Sequence, residues 1–139
     1  MTRVLVCCGV GGVGKTTIAA ALGVGLARAG EKVVVLTIDP AQRLADALGL
    51  ERLGNSPTKV SIKGGELDAM MLDRKATWDE VIRRFSSDEQ KAERLLTNRY
   101  YKAVSERLTG SHEYMAIEKL YELVETDRWD VVVVDTPPT

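Results

Sequence analysis

Gly9-Val10-Gly11-Gly12-Val13-Gly14-Lys15-Thr16 fits the spacing G-x-x-x-x-G-K-[ST] of a phosphate-binding loop, and Thr17 follows it. Glycines at Gly11, Gly12 and Gly14 let the main chain curl tightly, so that its amides, Val13's included, turn inward around an anion. Lys15 then meets the β- and γ-phosphates, and the Thr16 hydroxyl is placed for Mg²⁺. The positive end of the helix that follows adds to the attraction. Two carboxylates, Asp39 and Asp135, each close an apolar run, and ligands of open α/β sheets collect at the carboxyl ends of strands. Phosphoryl transfer asks mainly for positioning and charge neutralisation. One carboxylate, one lysine and one metal make a workable minimum.

These residues need a parallel sheet to hold them. Val4 to Cys8, Val33 to Ile38 and Val131 to Val134 are continuous β-branched or apolar runs, as expected of strands buried on both faces. Between the first two, Thr16 to Ala29 reads as a helix rich in Ala and Gly, able to lie close on a sheet and ended by Gly30. This is one right-handed βαβ unit. Lys59 to Lys63 and Glu66 to Leu72 read as two short strands around Gly64-Gly65. Helices follow. Thr77 with Glu80 forms a capping-box pattern and puts Trp78, Val81, Ile82 and Phe85 on one face. Ser87 with Gln90 repeats it before a stretch that runs, with a break near Asn98, to Leu108. After Gly110-Ser111 a last helix carries Tyr114, Ile117, Leu120, Tyr121 and Val124 on one side. Gly49 to Thr58 is the loop-rich stretch.

A chain of 139 residues fits one domain with a real core, and its formal charge of −1 gives no pull toward nucleic acid. No run spans a bilayer and the start lacks the pattern of a secretory signal, which makes a cytoplasmic protein the expectation. Cys7 and Cys8 are adjacent and His112 is distant, so small buried core thiols are expected rather than a metal site.

Taken together, Gly9 to Thr17, the run Thr37-Ile38-Asp39-Pro40-Ala41-Gln42-Arg43-Leu44-Ala45-Asp46-Ala47-Leu48, and Val131 to Pro138 resemble the ArsA-like anion-transporting ATPases. That family includes the arsenite-pump ATPase and the ATPase that targets tail-anchored membrane proteins, and it groups with the ParA/MinD and nitrogenase iron-protein P-loop ATPases. The resemblance implies a P-loop NTPase fold over residues 1–139, a parallel sheet flanked by helices and the N-terminal part of a fuller domain. Residues 73–128 would be a mainly helical insertion between switch I and the Walker B strand. It also implies ATP or ADP as ligand, with Mg²⁺ held by Thr16 and Asp135. Lys15 and Asp39 would be catalytic, Asp39 as the switch I carboxylate that orients the attacking water. The loop residues Gly11, Gly12, Val13, Gly14, Lys15, Thr16 and Thr17 would bind the phosphates. Asp39 as a helix cap and Asp135 as a plain strand terminator are the blander alternatives.

The family's loop usually carries a second, signature lysine where this chain has Val10, and that lysine reaches across a dimer. A homodimer is therefore implied, with trans-activation in question. Arg43 is either a replacement charge or a solvated surface residue. A membrane-protein partner or client helix is implied by the targeting members, in the region of Met70, Met71, Met115 and the helices from Trp78 to Val124. Core packing is the better reading of Met70 and Met71, and Trp78 and Trp129 read as packing residues. The leading expectation is an Mg²⁺-dependent ATPase switch. The alternative is a nucleotide-binding scaffold or switch with negligible hydrolysis.

Overall fold

The computed structural model describes residues 1–10, 14–100, 103 and 111–136. The chain order is β1 (Arg3–Cys7), α1 (Lys15–Arg28), β2 (Lys32–Thr37), α2 (Arg43–Ala47), β3 (Thr58–Val60), β4 (Glu66–Met71), α3 (Arg74–Phe85), α4 (Glu89–Thr97), α5 (Ser111–Glu125) and β5 (Val131–Asp135). The loop residues Gly11, Gly12 and Val13 lie outside the described residues, as do the stretch towards Leu108 and Gly110.

One five-stranded sheet runs β1-β5-β2-β4-β3. Among the described residues the β1–β5, β5–β2 and β2–β4 pairs are parallel, and β3 runs antiparallel to β4. The pairing of β3 with β4 is the hairpin that the Gly64-Gly65 signal announces, and Gly64 sits at φ 89, where a Cβ is strained.

Alternation along β2 and β5 sends side chains to two separate cores. Val33, Val35, Val131 and Val133 pack with Ala19, Ala27, Leu44 and Leu67 on the α1 side. Val34, Leu36, Val132 and Val134 pack with Met70, Met115, Leu123 and Trp129 on the other. Both faces are dry, which is why these runs show no polar alternation. α1 turns Lys15, Ala19, Gly23 and Ala27 inward, one residue per turn. A Cβ at Gly23 would come within 2.5 Å of Val35 Cγ2, so the small residues bring helix and strand into close contact. Gly30, at φ 97, ends the helix and donates its N–H to the Ala27 carbonyl at 2.9 Å.

β1 departs from the expectation of a strand covered on both faces. Among the described residues it pairs with β5 alone, and Val4, Leu5 and Val6 are exposed. Cys7 is only half-buried and Cys8 is exposed, so they are not the core thiols expected from composition.

The helices also correct the sequence reading. α3 begins at Arg74 because Asp73 caps it, its carboxylate accepting the Ala76 N–H at 3.0 Å. Thr77 is therefore inside the helix, where its hydroxyl donates to the Asp73 carbonyl and to Asn55 Oδ1. Asp88, not Ser87, caps α4 by accepting the Gln90 N–H. In α5 the buried seam is Met115, Lys119 and Leu123, while Tyr114, Ile117 and Tyr121 face outward. Lys119 reaches Glu80 and Glu122 from a fully buried position, which joins α5 to α3. Phe85 is exposed too, with Arg84 over its ring. Met70 is core, and Trp129 packs in the same cluster with its indole N–H on Asp68.

Candidate functional site

Register sets the site. Cys7 lies opposite Asp135, and Thr37 lies opposite Asp135 from the other side, so the ends of β1, β5 and β2 form one row. The Thr136 hydroxyl donates to the Cys7 carbonyl at 2.6 Å and holds the first two ends together. α1 starts against this row. Its N-cap, Gly14, is left-handed at φ 82 and ψ 23 and has no side-chain cap. That leaves the first-turn amides of α1 directed at whatever lies before the helix.

Lys15 is buried at the head of α1, Thr16 is half-buried and Thr17 is exposed. The Thr16 hydroxyl donates to Asp135 Oδ2 at 2.8 Å, and the Thr37 hydroxyl donates to the same oxygen at 2.9 Å. The other oxygen of Asp135 is buried with no hydrogen-bond partner. Such an oxygen costs free energy unless a donor or a cation meets it. Thr16 and Asp135 offer hard oxygen atoms, the kind Mg²⁺ takes when it uses one carboxylate, water and phosphate. Among the described residues no cluster of three His, Cys, Asp or Glu gathers, here or elsewhere.

Asp39 stands 8% exposed beyond the end of β2. Its N–H donates to Thr37 Oγ1 at 3.2 Å, its Oδ1 accepts the Ala41 N–H at 3.0 Å, and its Oδ2 accepts Arg43 Nη1 at 2.8 Å. Asp39 is thus held as an Asx turn, and it is not the N-cap of α2. Gln42 is the N-cap, in the left-handed region at φ 58. Its side-chain amide pairs with the Leu53 backbone in both directions, accepting the N–H at 3.0 Å and donating to the carbonyl at 3.3 Å. Sequence reasoning named Gln42 without a role and missed Thr37. The only signal for Thr37 is a hydroxyl two residues before a strand-end Asp. Val10 is exposed beside the loop.

The Cys7 thiol is pushed above its ordinary range by burial first, then by the negative charge of Asp135 and by Cys8. The thiolate is the reactive form. Iodoacetamide at pH 8 is expected to alkylate exposed Cys8 about ten times faster than Cys7. Fragment-ion mass spectrometry of the peptide reads the order, and equal labelling would contradict the burial.

A family model for anion-transporting ATPases matches residues 2–139. The chain belongs to the anion-transporting ATPase family. It is similar to a Halobacterium salinarum protein named as an arsenical pump-driving ATPase, 36% identical over 99% of this chain and 22% of that protein. It is similar to ATPase GET3 of Malassezia globosa, 34% identical over 96% of this chain and 38% of the relative. For ATPase ASNA1 homolog 1 of Paramecium tetraurelia the identity is 32%, over 94% of this chain and 39% of the relative. This member of the anion-transporting ATPase family therefore spans well under half of each of these three relatives. No helix among the described residues is long and apolar enough to cross a membrane.

Proposed function

We propose that this chain carries the nucleotide-binding part of an Mg²⁺-dependent ATPase whose nucleotide state drives a switch. The amides of Gly11, Gly12, Val13 and Gly14, with Thr17, cradle the phosphates, and Lys15 meets their negative charge. Thr16 and Asp135 hold the metal, which neutralises charge on the phosphates when bound. Asp39 orients the attacking water from the end of β2. Membership in a family whose relatives are named ATPases supports this reading. The single observation that carries it is the Thr16–Asp135 pair at the head of α1, with the second carboxylate oxygen buried and unpartnered.

The finer part of the proposal is coupling. A homodimer, and a partner, anion or client helix that senses the Asp39 segment, follow the family resemblance, and the pump named in one relative fits the anion. ATP or ADP is the ligand on the same ground.

Asp135→Asn in the complete protein tests the metal side. Its affinity for a fluorescent ATP analogue is expected to fall about tenfold with Mg²⁺ present, within the range for loss of a charged ligand group, and to stay unchanged in EDTA. Equal affinity in both conditions would remove Asp135 from the metal site. No nucleotide binding by the unaltered protein would end the whole reading.

A further inference from the structure

The Asp135 carboxylate and the Asp39 main-chain N–H meet on one hydroxyl, that of Thr37, which has no role in the mechanism proposed above. Thr37 is 1% exposed at the end of β2, level with Asp135 in the register. Its bonding directions are fixed by its neighbours. A carboxylate accepts and an amide N–H donates, so the single Thr37 proton goes to Asp135 Oδ2 and a lone pair receives the Asp39 N–H. Thr16 spends its proton on the same Asp135 oxygen. Asp135 is therefore asymmetric, with two hydroxyl donors on Oδ2 and none on Oδ1. The two donors come from different elements, α1 and β2, and together they fix the rotation of the carboxylate about its Cβ–Cγ bond.

We infer that Thr37 is a positioning residue that joins the metal-side and water-side carboxylates, orienting Asp135 with one face of its hydroxyl and anchoring the Asp39 backbone with the other. This rests on the ATPase reading above and adds to it a side chain that touches neither substrate nor metal. The consequence is directional. Without the hydroxyl, the Asp135 carboxylate keeps only its Thr16 donor, and the Asp39 N–H loses its acceptor, which leaves the Ile38 N–H on the Asp135 carbonyl as the link of the turn to β5. Phosphate capture by the loop and Lys15 stays intact. Turnover and metal response should therefore fall together while nucleotide affinity holds.

The test uses the complete protein with Thr37→Val, which preserves shape and strand preference, and Thr37→Ser, which preserves the hydroxyl. Thr37→Val is expected to lower kcat about tenfold, one or two orders being usual for loss of a group that positions catalytic residues. The Mg²⁺ concentration for half-maximal activity should rise about fivefold, with KM for ATP within about twofold. Thr37→Ser should lie within about threefold of the unaltered protein in every readout. A Thr37→Val protein with unaltered kcat and Mg²⁺ response overturns the inference, as does a Thr37→Ser protein as impaired as Thr37→Val. If Thr37→Val does not fold, Thr37→Ala replaces it, and failure of both shows a purely structural role and overturns the inference. If the unaltered protein does not hydrolyse ATP, the ATPase reading fails. The inference is then judged by the Mg²⁺ dependence of nucleotide binding, where Thr37→Val must still show the fivefold rise.

Discussion

Asp39→Asn in the complete protein is expected to lower kcat about a thousandfold while the affinity for Mg-ATP stays within about threefold, in the range for removing a group that activates or orients a nucleophile. The geometry explains the split. Asparagine still offers an oxygen to the Ala41 N–H, so the Asx turn and the backbone link to Thr37 persist. What disappears is the negative charge that faces Arg43 and, in the proposed role, the attacking water. The Arg43 side chain is 62% exposed, so losing its pair costs little stability. Single-turnover hydrolysis and equilibrium nucleotide binding, measured side by side, check the prediction. Unchanged turnover would remove Asp39 from catalysis. Tight binding with no turnover in the unaltered protein would favour the scaffold alternative.

The second large effect concerns stability. Gly65→Ala is expected to destabilise the protein by about 3 kcal/mol or more, lowering the melting temperature by about 10 °C. A Cβ at Gly65 would lie 1.6 Å from the Ala27 carbonyl oxygen and 2.5 Å from its carbon. Both atoms are main chain at the last turn of α1, so no rotamer change relieves the contact. Either the β3–β4 turn or the helix end must move, and Ala27 is fully buried in the α1 core. Gly25→Ala is the control. It is an exposed position in the same helix, with nothing within 4 Å of the added methyl, and helix propensity favours alanine there by up to about 1 kcal/mol. Thermal melts of the two variants should move in opposite directions. A Gly65→Ala melt within a degree or two of the unaltered protein would contradict the packing of turn on helix.

The legibility of this fold followed the reach of each signal. The helix α1 and the valine runs of β2 and β5 were readable because helix-ending glycine and continuous burial are local properties. The hairpin turn at Gly64-Gly65 was readable for the same reason. β1 carried the same apolar pattern as β2, yet Val4 to Val6 are exposed, since strand composition does not say how many neighbours a strand has. α5 has apolar residues on two stripes. Tyr114, Ile117 and Tyr121 looked like the core face, but phenol groups tolerate water at their tips, and the sheet took Met115 and Leu123 with the buried Lys119. The cap positions slipped by a turn or a residue because Asp73 and Asp88 offered stronger acceptors than Thr77 and Ser87. At the site, Asp39 and Asp135 were legible as strand ends. The hydroxyl between them and the Gln42 grip on Leu53 depend on contacts across 98 and 11 residues, which no spacing rule encodes.

The bond between Thr16 and Asp135 spans 119 residues, and the one between Thr136 and Cys7 spans 129. Such closures are made late, because chain entropy opposes them until most of the fold exists. During synthesis the glycine-rich turn emerges first and waits for β5 before its carboxylate partner arrives. In the proposed role, the metal side of the site is therefore complete only when the β1–β5–β2 pairing has formed, which makes Mg²⁺-dependent ligand protection a readout of maturation rather than of local order.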